Sequence, residues 1–223
     1  MKEFSYPEPS ASYAFPVAKA GFPIIFSFAF ITLIFAILDF TAMAVISLII
    51  TLGICLFFRD PDRVVPNDYG AVVSPADGKI IYIDTVDNSP YYPGHCMKIS
   101  IFMSVLNVHV NRVPHEGTVK QISYYPGKFF SANLDKASRE NEHNAVLVET
   151  AGGRDICFVQ IAGLIARRII CRIQKGDTLK RGQRFGMICF GSRLDVYLPV
   201  DIQLNVSVGN KVRAGHSILG YFK

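Results

Sequence analysis

The chain has 223 residues, 50% of them hydrophobic, and a mean hydropathy of +0.29. This composition is too apolar for an ordinary soluble domain and is typical of a membrane-attached protein. The formal net charge of +5 is mild and no run of basic residues interleaves with aromatic ones, so anionic lipid head groups are favoured over nucleic acid as partners.

Two apolar runs follow one another near the N-terminus. Residues 21–38 and 42–58 contain almost only apolar side chains, and residues 39–41 separate them. Each run is about long enough to cross a hydrocarbon core of ~30 Å as a helix. The separating residues are too few for a soluble loop. The sequence therefore predicts a transmembrane helical hairpin within an N-terminal domain of residues 1–63.

Positive residues flank this hairpin on both sides. Lys2 and Lys19 precede it and Arg59 and Arg63 follow it, whereas the turn carries only Asp39. By the positive-inside rule, both chain ends then lie in the cytoplasm. We therefore expect a protein of the inner membrane with its main domain on the cytoplasmic side. A cleaved signal peptide and a single re-entrant or interfacial segment are the alternatives.

A different pattern begins at Val64 and continues to the end of the chain. Short β-branched runs alternate with Gly, Pro and Asp turns, which indicates one all-β domain over residues 64–223. Residues 129–144 form the longest polar interruption and are predicted to be a loop that could act as a lid. The predicted strands are residues 71–73, 79–83, 97–103, 119–124, 145–149, 156–161 and 169–173.

Two pairs of similar segments, called sequence echoes below, narrow the range of possible folds. Residues 175–182 recur as residues 208–215, and Pro75–Ile80 recur as Pro114–Val119. A Gly-Asp or Gly-Asn pair followed by an apolar residue and a second Gly is a turn–strand–turn unit. Biotinyl and lipoyl domains carry similar hairpins at the same spacing. The fold class is therefore predicted to be mainly β, a barrel-sandwich hybrid.

The five cysteines give no sign of a metal site or of a disulfide framework. They include no CxxC pair and no His/Cys cluster with zinc spacing, and their number is odd. We interpret them as reduced thiols, mostly buried, in a cytosol-facing protein, and we expect no metal. They are Cys55, Cys96, Cys157, Cys171 and Cys189.

The pair Gly191-Ser192, close to the C-terminus, could undergo a particular backbone reaction. Glycine leaves its carbonyl unshielded, so the Ser192 hydroxyl can attack it and turn the amide into an ester. Removal of the Ser192 α-proton would then expel Gly191 and leave dehydroalanine, which hydrolyses to a pyruvoyl group. A bare Gly-Ser pair is also compatible with a surface turn, so further motifs are needed.

Three ordered motifs supply a family resemblance. Residues 74–79 (SPADGK), 107–114 (NVHVNRVP) and 190–199 (FGSRLDVYLP) recur in the same order in phosphatidylserine decarboxylases. The chain resembles the short, archaeal-type form of that family over nearly its whole length. The resemblance implies the same barrel-sandwich architecture and the decarboxylation of phosphatidylserine to phosphatidylethanolamine at the membrane.

The resemblance also implies a cofactor made from the chain itself. Cleavage between Gly191 and Ser192 would give a large β chain and a small α chain that stay together as a heterodimer, with a higher oligomer left open. Ser192 would become a covalent pyruvoyl group, which forms a Schiff base with the substrate amine. The implied substrate is phosphatidylserine in the bilayer.

Two residues are candidates for activating Ser192. Asp77 fits a turn position, and in the resembled family the matching Asp orients a catalytic His that takes the serine proton. His109 is that His here, and we assign to it both Ser192 activation and protonation of the carbanion. Longer family members carry a second His three residues on, where this chain has Arg112. His115 is the alternative base.

Several polar residues are candidate substrate contacts. His143 and Asn144 lie beside the predicted lid, and for His143 a solvated position is favoured. Arg167 and Arg193 suit a lipid phosphate because guanidinium groups match phosphate oxygens, although Arg167 also fits a solvated strand end. Arg112 and His115 complete the set.

Three other protein classes compete with the decarboxylase. A membrane-anchored, lipoyl-like transport adaptor would carry long heptad-patterned helices, which the sequence lacks. A biotin or lipoate carrier would need a lysine at a hairpin tip. A serine hydrolase would need a Gly-x-Ser-x-Gly motif around Ser192, which is also missing. The decarboxylase is therefore the leading hypothesis, with the adaptor as its alternative.

Overall fold

A computed structural model describes residues 16–131, 140–164, 168–189 and 192–222 of the chain. The described residues fall into two compact units, one ending at Asp62 and the other beginning at Arg63. The first unit is helical and the second is built of β-strands.

The helical unit is an antiparallel pair. A 3-10 turn at Lys19–Gly21 leads into α1 (Phe22–Ile37), and α2 (Thr41–Phe57) follows. Asp39 makes the connection with a φ of +57°, a conformation that Asp tolerates better than most residues. Between the helices, the Thr32 and Ser47 hydroxyls are hydrogen-bonded at 2.8 Å. Such hydroxyl contacts are common between helices in membranes.

The composition of this unit fits a membrane. The helical residues Lys19–Ile37 reach a mean hydropathy of 2.3 and are long and apolar enough to cross a bilayer, by length and composition only. The helix Thr41–Phe57 is apolar but shorter. Large apolar side chains such as Phe26 and Ile49 are exposed. These features are weak evidence for membrane association, and they match the apolar hairpin expected from the sequence.

The β unit contains fourteen strands in the described residues. They are β1 (Ala71–Val73), β2 (Gly78–Val86), β3 (Cys96–Met103), β4 (Val110–Arg112), β5 (Gly117–Tyr125), β6 (His143–Glu149), β7 (Asp155–Ala162), β8 (Arg168–Cys171), β9 (Thr178–Leu179), β10 (Arg184–Cys189), β11 (Ser192–Pro199), β12 (Gln203–Leu204), β13 (Lys211–Val212) and β14 (Ile218–Tyr221).

These strands form three antiparallel sheets around one core. The largest has the order β13-β2-β3-β11-β7-β6-β5-β9 and curls into a half-barrel. The two smaller sheets have the orders β1-β14-β12 and β4-β10-β8. Val72, Phe185 and Val196, one from each sheet, belong to the same fully buried hydrophobic cluster. The predicted fold class, a mainly β domain with an apolar N-terminal hairpin, is confirmed.

Two halves of the β unit repeat one seven-stranded pattern. The continuous half is β4–β10, and the split half is β1–β3 with β11–β14, so the first is inserted between β3 and β11. Read from its two ends, the largest sheet has equivalent strands in the same order. The strands β2, β3 and β11 of the split half match β5, β6 and β7 of the continuous half. Equivalent hydrogen bonds support the match: Gly182 N–H donates to the Val113 carbonyl and Gly215 N–H to the Ser74 carbonyl, at 2.8 and 2.7 Å.

The sequence echoes are the two copies of this pattern. Gly78 and Gly117 begin equivalent strands, and a Cβ at either position would lie 2.2 or 2.4 Å from the carbonyl oxygen of a facing residue, Phe102 or Glu149. Only glycine allows the strands to approach so closely. In the continuous half, β6 and β7 form an ordinary hairpin. In the split half that hairpin is opened, and the chain returns from the inserted half at Ser192.

Some predicted element boundaries were wrong. The predicted strand 169–173 ends at Cys171. The predicted loop 129–144 includes His143 and Asn144, which begin β6 instead, and its residues 132–139 lie outside the described part of the chain. The region around Ser192, interpreted as a turn or cleavage motif, also contains the long central strand β11.

Candidate functional site

Ser192 begins β11 at the end of the half-barrel. It lies in register with Met103 of β3 on one side and Ala162 of β7 on the other. Alternate residues of a strand point to opposite faces, and Leu194 belongs to the core cluster, so Ser192 also faces the core. Ser192 is fully buried, and its hydroxyl contacts the Met103 sulfur at 3.3 Å. This contact is weak because a thioether is a poor acceptor.

His109 is a buried imidazole directly before β4. Its Nδ1 lies 2.9 Å from the Asn107 carbonyl oxygen, which can only accept, so Nδ1 carries the proton and Nε2 the basic lone pair. The Asn107 side chain is held in turn by Ser104, whose N–H and hydroxyl donate to Oδ1 at 2.9 and 2.7 Å. The His109 carbonyl accepts from Ile188 N–H at 3.4 Å, four residues before Ser192. A correctly protonated base is therefore held beside the segment that leads to Ser192.

Three carboxamides form a buried chain next to Ser192. Asn144 Nδ2 donates to Gln160 Oε1 at 3.2 Å, and Gln160 Nε2 donates to Asn111 Oδ1 at 2.9 Å. Asn111 Nδ2 then contacts the Met103 sulfur at 3.8 Å, the same atom that the Ser192 hydroxyl contacts. Gln160 and Asn111 are fully buried and Asn144 is 3% exposed. The buried amides therefore form a polar chain that ends at the Met103 sulfur, the atom that the Ser192 hydroxyl also contacts.

Asp77 is placed differently from the expectation. Its Oδ1 accepts from Ala214 N–H at 2.7 Å, and its Oδ2 pairs with Arg63 Nη2 at 2.9 Å. The His109 nitrogen that Asp77 was expected to orient donates to the Asn107 carbonyl instead. The expected Asp77–His109 pair is therefore not formed in this structure. Asp77 fixes the turn that leads into β2.

His115 and Arg112 have local structural partners. His115 is buried, its Nδ1 donates to the Glu116 carbonyl at 2.9 Å, and its ring packs on Phe222. Burial lowers the pKa of His115, even though the bond to the Glu116 carbonyl opposes this change. Arg112, which replaces the second histidine, donates to the Gly182 carbonyl at 3.1 Å and lies on the opposite face of β4 from Asn111.

Arg193 points away from Ser192 because neighbouring strand residues project from opposite faces. Its guanidinium makes a two-pronged bond with Asp195 at 2.6 and 3.1 Å and donates to Ser100 at 2.9 Å. Lys98 also pairs with Asp195, at 3.1 Å. Arg193 is 2% exposed, so a lipid phosphate would have to displace a buried carboxylate to reach it. The expected phosphate contact at Arg193 does not fit this geometry.

His143 is buried, which corrects the expectation of a solvated ring. Nδ1 donates to the Asn141 carbonyl at 2.5 Å, and Nε2 accepts from the Tyr91 hydroxyl at 2.8 Å. The ring also stacks on Tyr125. Both ring nitrogens are thus engaged, and the side chain lies on the same face of the sheet as Arg193. Asn144, the next residue, points to the core face and belongs to the carboxamide chain.

Two predicted site residues lie outside the described part of the chain, Gly191 and Arg167. The five cysteines are all free, two of them buried. Within the described ranges, no three His, Cys, Asp or Glu side chains are grouped in a way that could hold a metal ion.

The two-fold pattern singles out this end of the sheet. By register, Asn111, Asn144 and Gln160 are equivalent to Val72, Met97 and Leu198 of the other half. All three equivalents are apolar and belong to the core cluster or pack against it. The fold therefore does not require amides at these positions, and burying them costs free energy unless they are hydrogen-bonded. Polar groups are concentrated where Ser192 lies.

Sequence reasoning named Asn144, as a substrate contact, but missed Asn111, Gln160 and the residues that hold His109. A signal for Gln160 exists, because it is one polar side chain inside the apolar run 156–162. Asn107 and Asn111 lie in the quoted motif 107–114, but nothing in the sequence gives either a role. Their partners Ser104 and Gln160 are identified only by the folded chain.

This part of the fold combines a buried serine, a buried histidine that donates through Nδ1, and a row of buried amides. Such a set can remove a proton from a hydroxyl and stabilise negative charge on oxygen.

Comparisons with known proteins agree with this arrangement. Residues 50–220 match the family model described as phosphatidylserine decarboxylase. The chain is 52% identical over 207 residues to a phosphatidylserine decarboxylase proenzyme of Syntrophus aciditrophicus, covering 92% of this chain and 97% of the relative. It is 51% identical over 205 residues to the protein of the same name from Desulfotalea psychrophila, with 92% and 96% covered. It is 45% identical over 223 residues to that of Nitrosomonas eutropha, with both chains fully covered.

Proposed function

Because the chain belongs to the phosphatidylserine decarboxylase family, we propose that it converts phosphatidylserine to phosphatidylethanolamine with a pyruvoyl group made from Ser192. The observation that carries this proposal is the buried Ser192 hydroxyl at the start of β11, together with a buried histidine, His109, whose backbone bonds Ile188 four residues before Ser192 and whose Nδ1 bond leaves Nε2 basic. The transport adaptor is not favoured, since the matched family and the named relatives are decarboxylases.

The residues around Ser192 fit a group of this kind. A pyruvoyl group would occupy the core-facing position at the start of β11, next to Met103 and the Asn111 amide. Full burial of residue 192 limits the access of bulk water to a reactive carbonyl, while processing consumes a single water molecule there. No lysine or metal is needed to hold the cofactor, because it is part of the chain.

Self-processing needs a base at Ser192, and we assign this role to His109. Nε2 takes the hydroxyl proton, the oxygen bonds to the carbonyl carbon of residue 191, and the amide C–N bond breaks as the Ser192 nitrogen takes a proton. Removal of the Ser192 α-proton then breaks the Cβ–Oγ bond and releases the β chain as a carboxylate. The remaining dehydroalanine tautomerises to an imine, and water displaces ammonia from it.

Once formed, the pyruvoyl group would supply a ketone for the substrate amine and an adjacent carbonyl that would accept the electron pair left by CO2. His109 is then free to return a proton to the α-carbon, because processing and decarboxylation occur at different times. Because Nδ1 stays bonded to the Asn107 carbonyl, Nε2 is the atom that takes up the proton in the first step and returns a proton in the second.

The helical unit supports a membrane location. We propose that residues 21–58 anchor the protein in the inner membrane with both chain ends in the cytoplasm, as the flanking Lys and Arg residues indicate. The tethered β unit would meet its substrate in the bilayer. The processed enzyme would be a heterodimer of β chain 1–191 and α chain 192–223.

The proposal is tested with vesicles that contain phosphatidylserine labelled at the serine carboxyl carbon. Purified full-length protein should release labelled CO2 and leave phosphatidylethanolamine, and Ser192→Ala should release none. The matched control is Ser123→Ala on β5, a serine that belongs to none of the contacts around Ser192 and whose hydroxyl accepts a hydrogen bond from Gln121 at 2.8 Å. This control should keep the wild-type rate. Label release by Ser192→Ala at the wild-type rate would refute the proposal.

A further inference from the structure

Two hydrogen-bond donors converge on one weak acceptor in the site. The Ser192 hydroxyl and Asn111 Nδ2 both contact the Met103 sulfur, at 3.3 and 3.8 Å. A thioether sulfur accepts weakly, so neither contact commits its donor to a strong hydrogen bond. Both groups are fully buried, so the Asn111 amide and the Ser192 hydroxyl meet at the same sulfur atom in a site away from bulk water.

The orientation of the Asn111 amide is determined by its neighbours. Gln160 Nε2 donates to Asn111 Oδ1 at 2.9 Å, so the Asn111 oxygen faces Gln160 and its nitrogen faces Met103 and Ser192. Gln160 is itself held by Asn144, which donates to Gln160 Oε1 at 3.2 Å. Gly186 makes room for this side chain, since a Cβ there would lie 3.0 Å from Gln160 Nε2.

The fold does not require amide side chains at these positions. The equivalent of Asn111 in the other half is Val72, which is fully buried in the core cluster. A buried amide that ends on a sulfur gains less than it loses by leaving water. Its position at the same sulfur atom as the Ser192 hydroxyl points to a use in the chemistry of that serine.

We propose that Asn111 donates a hydrogen bond to the Ser192 oxygen when that oxygen loses its proton, and that Gln160 and Asn144 are positioning residues for this amide. The inference rests on the proposed self-processing. As the O–H bond breaks and the proton passes to the base, negative charge builds on the oxygen before it bonds to the carbonyl carbon of residue 191. The Asn111 N–H then moves from sulfur to this oxygen. In a dry site a preorganised donor of this kind is worth ~10²–10³-fold in rate.

The test is the rate of self-cleavage of the full-length protein, followed on denaturing gels without lipid. Asn111→Val introduces the residue of the equivalent position and still leaves Gln160 Nε2 its bond to the Ile170 carbonyl at 3.3 Å. We expect cleavage to slow by ~10²-fold or more. Gln160→Leu should slow it less, since the Asn111 amide stays but loses its orientation.

A control separates chemistry from folding. Thr150→Val deletes a buried hydroxyl at the symmetry-related end, where Thr150 bonds the Arg154 carbonyl at 3.1 Å, and it should cleave at the wild-type rate. In an uncleavable Ser192→Ala background, Asn111→Val should melt at the same temperature as its parent or higher, because an amide leaves the core. A purely structural Asn111 would instead lower that melting temperature.

Each result decides the inference. Slow cleavage of Asn111→Val with an unchanged melting temperature supports it, and cleavage at the wild-type rate overturns it. If Asn111→Val does not fold, the isosteric Asn111→Asp, which lacks the N–H donors, decides by the same criterion. A wild-type chain that stays uncut would refute the proposed function, and the inference would fall with it. A cut and active wild type with fast Asn111→Val cleavage refutes the inference alone.

Discussion

Replacement of His109 by glutamine tests the assignment of the base. Glutamine fills much of the same buried space and can still donate to the Asn107 carbonyl, which His109 Nδ1 reaches at 2.9 Å, but it has no basic nitrogen. An oriented general base contributes ~10²–10⁴-fold to a proton transfer. At 1.36 kcal/mol per factor of ten, this corresponds to about 3–5 kcal/mol in the barrier to self-cleavage.

The assay follows the fraction of cleaved chain with time after synthesis, on gels that separate the full-length chain from the β chain. His109→Gln should therefore accumulate as an uncut chain. His115→Gln is the matched control, because His115 is also buried but its Nδ1 is bound to the Glu116 carbonyl and its ring to Phe222. Asp77→Asn should slow cleavage less than His109→Gln, since it weakens the Arg63 pair but leaves the base in place.

Folding must be compared in a Ser192→Ala background, in which no cleavage occurs. A His109→Gln protein that melts with its parent and yet cleaves at the wild-type rate would refute the assignment. The base would be His115 instead if His115→Gln stays uncut while His109→Gln matures normally.

Two further predictions concern acid stability and the membrane. Burial lowers the pKa of His115 from its usual 6.5, so the unfolded chain binds this proton more readily. The stability that neutral His115 contributes is present above pH 6.5 and is lost as the pH falls through the lowered pKa, and His115→Gln should flatten that part of a plot of melting temperature against pH. An unchanged slope would contradict this. Deletion of residues 1–58 keeps Arg63 and should leave self-cleavage intact, but it should slow turnover of vesicle lipid more than that of short-chain, soluble phosphatidylserine. Equal losses on both substrates would show that the helices shape the site itself.

The sequence allowed the elements with strong local patterns to be predicted. The helix ends lie within one or two residues of the ends of the predicted apolar runs, because a long, unbroken run of apolar residues usually forms a membrane-spanning helix. The glycine echoes also indicated the repeated hairpins, and the structure has both copies in equivalent places. In these cases residues near in sequence determine the outcome.

The predicted surroundings of a side chain were wrong where they depend on residues distant in sequence. Glu142, His143 and Asn144 form a polar run, so His143 was expected in solvent, yet it is buried under Tyr91, 52 positions away. Arg193 was expected to bind phosphate, but its partner Asp195 belongs to a buried cluster with Ser100 and Lys98 of β3. Asp195 is only two residues from Arg193, but Tyr91, Ser100 and Lys98 cannot be identified as partners before the strand order is known.

The site itself was predicted in part. Ser192 and His109 were identified from motifs, and their roles remain predictions until processing is measured. Asn111 and Gln160 are 49 positions apart and come together only because β4 packs under the sheet that contains β7. A single amide in an apolar strand indicates a buried polar contact, but it does not say with which residue.

The most direct test of the central claim is the intact mass of the purified wild-type protein, with N-terminal sequencing of its small fragment. We predict two fragments, 1–191 and 192–223, with the second blocked to Edman degradation because a pyruvoyl group has replaced the Ser192 amine. Ser192→Ala should give one uncut chain. A single uncut wild-type chain with full decarboxylase activity, or a small fragment that begins with an ordinary serine, would contradict the claim that Ser192 becomes the cofactor.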